Sequence, residues 1–133
     1  FDSTYQNDTI KEINRIMKKN GRVLLTGKNY QYFHDDTKAI IAEKNARKKG
    51  EPNYFTNVQL MTKYLNRFGF SIVHKRYFLR RGDFVKDNFV TEIPNKFYEF
   101  LLVLQKCNII KKEINIQISH EFSKTLKEIN SKK

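Results

Sequence analysis

The sequence predicts an α/β fold, and three features predict it. A helix runs through a glycine turn into a short apolar stretch, a second helix ends on a glycine before another strand, and a later stretch is apolar on both faces. The first helix is expected to start at Thr9. Thr9-Ile10-Lys11-Glu12 has the S/T-x-x-E form of a capping box, and Ile10, Ile13, Ile16 and Met17 follow at helical spacing. Lys18 and Lys19 suit the negative end of the helix dipole, and Gly21 stands where a left-handed terminal residue is needed, which puts the end near Asn20. Val23-Leu24-Leu25-Thr26, closed by Gly27, reads as a strand covered on both faces, as inner parallel strands are.

Residues 28–53 form a long polar and aromatic connection in which Thr37 to Lys49 makes a short basic helix stopped by Gly50 and Pro52. Thr56-Asn57-Val58-Gln59 is a second capping box. It opens a helix with Val58, Met61, Tyr64, Leu65 and Phe68 on one face and Gly69 after its last turn. Phe70 to Leu79 reads as a strand. From Phe97 to Lys106, Tyr98, Phe100, Leu102 and Leu104 alternate with Leu101 and Val103, so this strand is expected inside a sheet. Arg81-Gly82-Asp83 and Pro94 break pairing between these two strands and imply an extended hairpin connection. In the tail, Ile114, Ile116 and Ile118 alternate as in a strand, and Phe122, Leu126 and Ile129 keep helical spacing. Residues 1–107 therefore form the main unit and residues 108–133 a C-terminal extension of strand then helix.

The run from Ile10 to Gly27 resembles the segment that Rossmann-like (class I) S-adenosylmethionine-dependent methyltransferases place before and along their fifth strand. Lys19 takes the family's usual proline position and Asn20 its first glycine. The helix from Thr56 to Phe68, the Phe68-Gly69-Phe70 junction and the two later strands are similar to the family's closing elements, whose last strand runs antiparallel to its neighbours. The resemblance spans Thr9 to Cys107. It implies a mixed sheet with parallel strands and an antiparallel last strand, the C-terminal half of a doubly wound methyltransferase fold. S-adenosylmethionine is the implied cofactor, and methyl transfer the implied reaction.

The half that would hold that cofactor is not represented. Doubly wound sheets bind such ligands with a glycine-rich first turn and an acidic residue after the second strand. The glycines here are Gly21, Gly27, Gly50, Gly69 and Gly82, with no G-x-G among them. The chain begins at Phe1, near where the family's fourth strand ends, so the resemblance implies a fragment of a protein roughly twice this length. Activity from these residues alone is not expected. The Val23–Thr26 strand would then present an unpaired edge, to be covered by the missing N-terminal half, a second copy of the chain or the Ile114–Ile118 segment.

In the resembling family the loop after the fifth strand lies beside the transferred methyl group and helps to form the acceptor pocket. That loop is Lys28-Asn29-Tyr30-Gln31-Tyr32-Phe33-His34-Asp35-Asp36. Lys28, Asn29, Tyr30, Tyr32 and His34 are the implied acceptor-binding residues, with His34 the candidate catalytic base. A competing reading is that the aromatics only pin a long loop. Asp35-Asp36 is a weak metal signal without further ligands, and His74 and His120 carry no motif. Lys44, Arg47, Lys48 and Lys49 suit either a solvated helix face or a lid over a phosphate-bearing acceptor.

The formal net charge is +12 with a pI near 9.8. Such a balance suits nucleic acid, an anionic surface or a phosphorylated ligand, although abundant lysine is also compatible with a solvated surface. Arg76, Arg80 and Arg81 interleave with Tyr77 and Phe78, a pattern used by single-stranded nucleic-acid binders, so a small basic nucleic-acid-binding module is the first alternative. A non-catalytic methyltransferase-like partner subunit is the second. A small-molecule acceptor is the expected partner, with nucleic acid as the further option. Cys107 is the single cysteine, which excludes an internal disulfide and suits a reducing cytoplasm. No apolar run is long enough to span a bilayer and no signal pattern opens the chain, so no membrane partner is expected.

Overall fold

The computed structural model of the chain describes residues 3–30, 37–50, 54–107 and 119–121. Helix α1 spans Ser3–Ile16, so it begins six residues before the expected start at Thr9. The reason lies in its buried face, where Asn7 and Asn14 stand with Ile10 at helical spacing. A search for apolar residues stops at Ile10, whereas the helix continues through polar residues that it buries. Its end also differs from expectation. The left-handed residue is Asn20 (φ 65°), and Gly21 is needed for close approach, since a Cβ there would lie 2.8 Å from the Lys18 carbonyl oxygen.

Strand β1 spans Arg22–Lys28, and the basic helix α2 spans Thr37–Lys48. The short strand β2 (Tyr54–Thr56) leads into α3 (Val58–Tyr64), which tightens into a 3-10 turn at Leu65–Phe68. The helix cap is Asn57, whose Oδ1 accepts the Leu60 N–H at 3.1 Å, and not Thr56 as the capping-box pattern suggests. Gly69 ends the unit in the left-handed region (φ 84°) and releases the chain into β3 (Phe70–Phe78). Strand β4 follows at Glu99–Lys106, and β5 at Ser119–Glu121 pairs antiparallel with β2. The expected tail strand at Ile114–Ile118 and the tail helix lie outside the described residues.

The architecture is mixed α/β, built on a three-stranded sheet in the order β1-β4-β3. Strand β4 is antiparallel to both neighbours, as expected of the last strand, and β1 and β3 run in the same sense on either side of it. The expected parallel pairing within the sheet is not what the described strands form. The parallel contact they make is one isolated bridge between Asn29 and Thr56. Nor is β1 covered on both faces: its residues alternate, and Leu24 is 60% exposed. The expectation failed because two successive leucines look the same whether a second layer covers one of them or not.

One face of the sheet carries the core. Ile10 of α1, Val58 and Met61 of α3, and Leu65 and Phe68 of the 3-10 turn pack on Phe70, Tyr77, Phe100, Leu102 and Leu104. Each fully buried side chain of this kind contributes about 1.5–3 kcal/mol relative to exposure. Lys106 closes the far end: its buried ammonium donates to the carbonyls of Asn14 and, at 2.8 Å, Met17, satisfying acceptors at the end of α1. The other face, with Leu24, Leu101 and Val103, is left partly open.

Candidate functional site

The register of the sheet sets Lys28, Glu99 and Phe78 side by side across β1, β4 and β3. The exits of β1 and β3 therefore lie at one end of the sheet, together with the entry to β4. The described sheet is antiparallel, so the rule that doubly wound sheets bind ligands at the carboxyl ends of parallel strands does not select an end here. This end is the candidate site because the predicted acceptor residues begin there.

Lys28 ends β1 with its side chain exposed. Asn29, expected among the acceptor contacts, is instead fully enclosed (0% exposed) and holds three elements together. Its Oδ1 accepts the Val58 N–H at the start of α3 (3.3 Å), its Nδ2 donates to the Phe97 carbonyl before β4 (3.4 Å), and its own N–H donates to the Tyr98 carbonyl (2.9 Å). Tyr30 is half-buried and packs with Ala39, Ile40, Phe55 and Tyr98, while its N–H donates to the Thr56 carbonyl at 2.8 Å. This second apolar cluster fastens α2 and β2 to the end of the sheet. Tyr32 and His34, with Asp35 and Asp36, lie outside the described residues. The structure thus brings Lys28, Asn29 and Tyr30 to one place, but with Asn29 as a brace.

Gly27 precedes these residues on β1, and a Cβ there would lie 3.2 Å from the Phe100 ring. The side chain's absence lets β1 lie close over that ring and fixes where Lys28 and Asn29 emerge. On the other side, Gln59 donates through Nε2 to the carbonyls of Pro94 and Asn95, tying the first turn of α3 to the segment entering β4. Sequence reasoning missed these polar braces, because nothing in a residue's identity tells an enclosed Asn or Gln from a solvated one.

Charge at the site is modest in its consequences. The aromatics of the Arg76–Arg81 segment are not presented to a ligand: Tyr77 and Phe78 are buried, and Arg76 lies over the Phe89 ring at 4.3 Å while pairing with Asp87 at 3.1 Å. Burial, with a smaller contribution from Glu92, raises the Tyr77 phenol above its ordinary range. Among the described residues there is no cluster of His, Cys, Asp and Glu able to hold a metal ion. His74 is exposed on β3, and Lys44, Lys48 and Lys49 are exposed on and just after α2. Comparison with protein-family models, with curated proteins and with solved structures returned no match. Among the described residues no helix is long and apolar enough to cross a membrane.

Proposed function

We propose that the chain is the acceptor-side part of a class I S-adenosylmethionine-dependent methyltransferase. The observation that carries this reading is the sheet, in which β4 is inserted antiparallel between two strands of common direction while α1 and the α3 unit pack on the same face. Of this, the antiparallel last strand is what the resemblance implied for the closing elements. The open face around Leu24 and the outer edge of β1, which over Val23–Gly27 pairs with no strand among the described residues, fit a sheet that continues beyond this chain.

The residues present do not fit the cofactor itself. Gly21 and Gly27 serve close packing, Gly50, Gly69 and Gly82 serve left-handed turns, and none forms a phosphate- or nucleoside-binding loop. No step on the sulfonium is therefore derived. What the chain supplies is position: Lys28 and Tyr30 at the end of β1, held by the Asn29 brace, would line the acceptor side, and orientation of an acceptor accounts for much of the rate of such transfers.

The test is methyl transfer from labelled donor by the chain joined to a class I donor-binding half. Label should enter an acceptor, and Lys28→Ala or Tyr30→Ala should reduce incorporation while Ile41→Ala, on the exposed side of α2, leaves it unchanged. Failure of the longer protein to transfer label to any small-molecule or RNA acceptor would count against the proposal. The nucleic-acid-module alternative finds no support in the Tyr77 and Phe78 rings, which are core.

A further inference from the structure

Exposed apolar side chains are concentrated in one stretch of the chain. Of the nine large apolar residues exposed among the described residues, five (Leu79, Phe84, Val85, Val90 and Ile93) lie on the β3–β4 connection. Val85 is 89% exposed, the most of any of them. Single exposures scattered along a chain need no explanation, whereas five on one connection call for one.

The connection is a built structure. Asp83 is buried, and its Oδ2 accepts the Arg80 N–H at 3.1 Å. The Lys86 N–H donates to the Gly82 carbonyl (3.2 Å) and the Asn88 N–H to the Asp83 carbonyl (3.0 Å). Gly82 (φ 88°) and Asp87 (φ 54°) supply the left-handed backbone that such a compact turn requires. From below, Phe78 meets the rings of Phe84 (4.9 Å) and Phe89 (6.4 Å), and Val90 makes a two-hydrogen-bond bridge with Tyr77. The fold thus holds Val85 out in water on a braced support.

The charges around this tip are of both signs, with Asp83 buried and Asp87 and Glu92 exposed in surface ion pairs. Asp83 faces inward, Asp87 pairs with Arg76, and Glu92 faces Lys75 at 3.8 Å, so the three carboxylates of the connection each have a partner within the protein. Arg80 and Lys86 stand exposed on either side of Phe84 and Val85.

We propose that this connection is a membrane-surface docking element, which inserts Val85 and its apolar neighbours among the headgroups and upper acyl chains of an anionic bilayer while Arg80 and Lys86 meet the lipid phosphates. An apolar tip with a cationic rim is the chemistry of interfacial binding. Aliphatic side chains give no flat surface for stacking on bases, and the aromatic rings here are turned against one another, which disfavours a single-stranded nucleic acid. Leu and Val are also poor anchors at protein interfaces, where Trp, Tyr and Arg dominate. The inference stands independently of the methyltransferase reading and departs from the expectation that composition set, because a surface-docking tip needs no spanning run.

Vesicle sedimentation of the full chain tests it, with phosphatidylcholine vesicles against vesicles that also contain phosphatidylserine. Binding should be confined largely to the anionic vesicles, fall roughly fivefold for each of Arg80→Ala and Lys86→Ala, and fall about tenfold for Val85→Asp. The chain has no tryptophan, so Val85→Trp is a unique reporter, and its emission should shift to the blue with anionic vesicles alone. Thermal melts of the variants guard against misfolding. Equal sedimentation of wild type and Val85→Asp, or a Val85→Trp emission unchanged by anionic vesicles, would overturn the proposal. So would a Val85→Asp variant that loses oligonucleotide affinity but keeps vesicle binding.

Discussion

Replacing Asn29 with alanine would remove the acceptor of the Val58 N–H and a donor to the Phe97 carbonyl inside a fully enclosed position. The expected loss is about 1–3 kcal/mol of folding stability, read as a lower urea midpoint. If Asn29 instead bound an acceptor, the variant would keep its stability and lose turnover alone. Tyr77 gives a pH dependence of known sign. With its phenol raised chiefly by burial, the folded state keeps a proton over a range in which the unfolded chain releases it. Stability is then level in this respect below about pH 10 and falls as pH rises from there toward the folded value. Urea midpoints measured across that range should fall less steeply in Tyr77→Phe than in the wild type, and an unchanged slope would contradict the assignment. At this scale the sequence was least legible. Asn7, Asn14, Asn29 and Lys106 are buried, yet hydropathy alone marks each as a surface residue.

The elements were read more successfully, and the reasons are local. The face of the Val58–Phe68 unit is apolar at helical spacing and Gly69 is a left-handed stop, so both its existence and its end were visible. Strand β4 is apolar on both faces and proves to be the central strand. Boundaries were less secure where a polar residue does the structural work, as at Asn57. Asn57→Ala should cost about 1 kcal/mol through loss of the cap, whereas Thr56→Ala should fall well short of that, and thermal melts of the two variants check the assignment. In β4, Leu102→Ala should cost about 2–5 kcal/mol, since Leu102 is fully buried in the middle of the sheet. Strand β1 shows the limit of such reading: apolar sequence predicts that a face is wanted for burial, and the burying partner is a property of the assembled fold.

Among the described residues, the sheet has one filled face and one partly open face. In the chain alone Leu24→Lys should change stability by no more than about 0.5 kcal/mol, since Leu24 is largely exposed. In a protein that continues the sheet, the same change would bury a charge and cost several-fold more, so comparing the two melts shows whether a further layer covers Leu24. The +12 charge was legible from composition, but its arrangement was not. Only the folded chain shows that Arg80, Val85 and Lys86 are all exposed and that, of the nearby carboxylates, Asp83 is the buried one. The candidate site was legible in part: Lys28 and Tyr30 come to the expected end of the sheet, and Asn29 comes with them as a brace. We propose that these residues form the acceptor side of a methyltransferase, and the described residues do not supply a donor pocket. Calorimetric titration with S-adenosylhomocysteine tests it most directly. Binding when Phe1–Lys133 is joined to a class I donor-binding half, and none by Phe1–Lys133 alone, is the predicted result; no binding by the joined protein, or binding by Phe1–Lys133 alone, would contradict it.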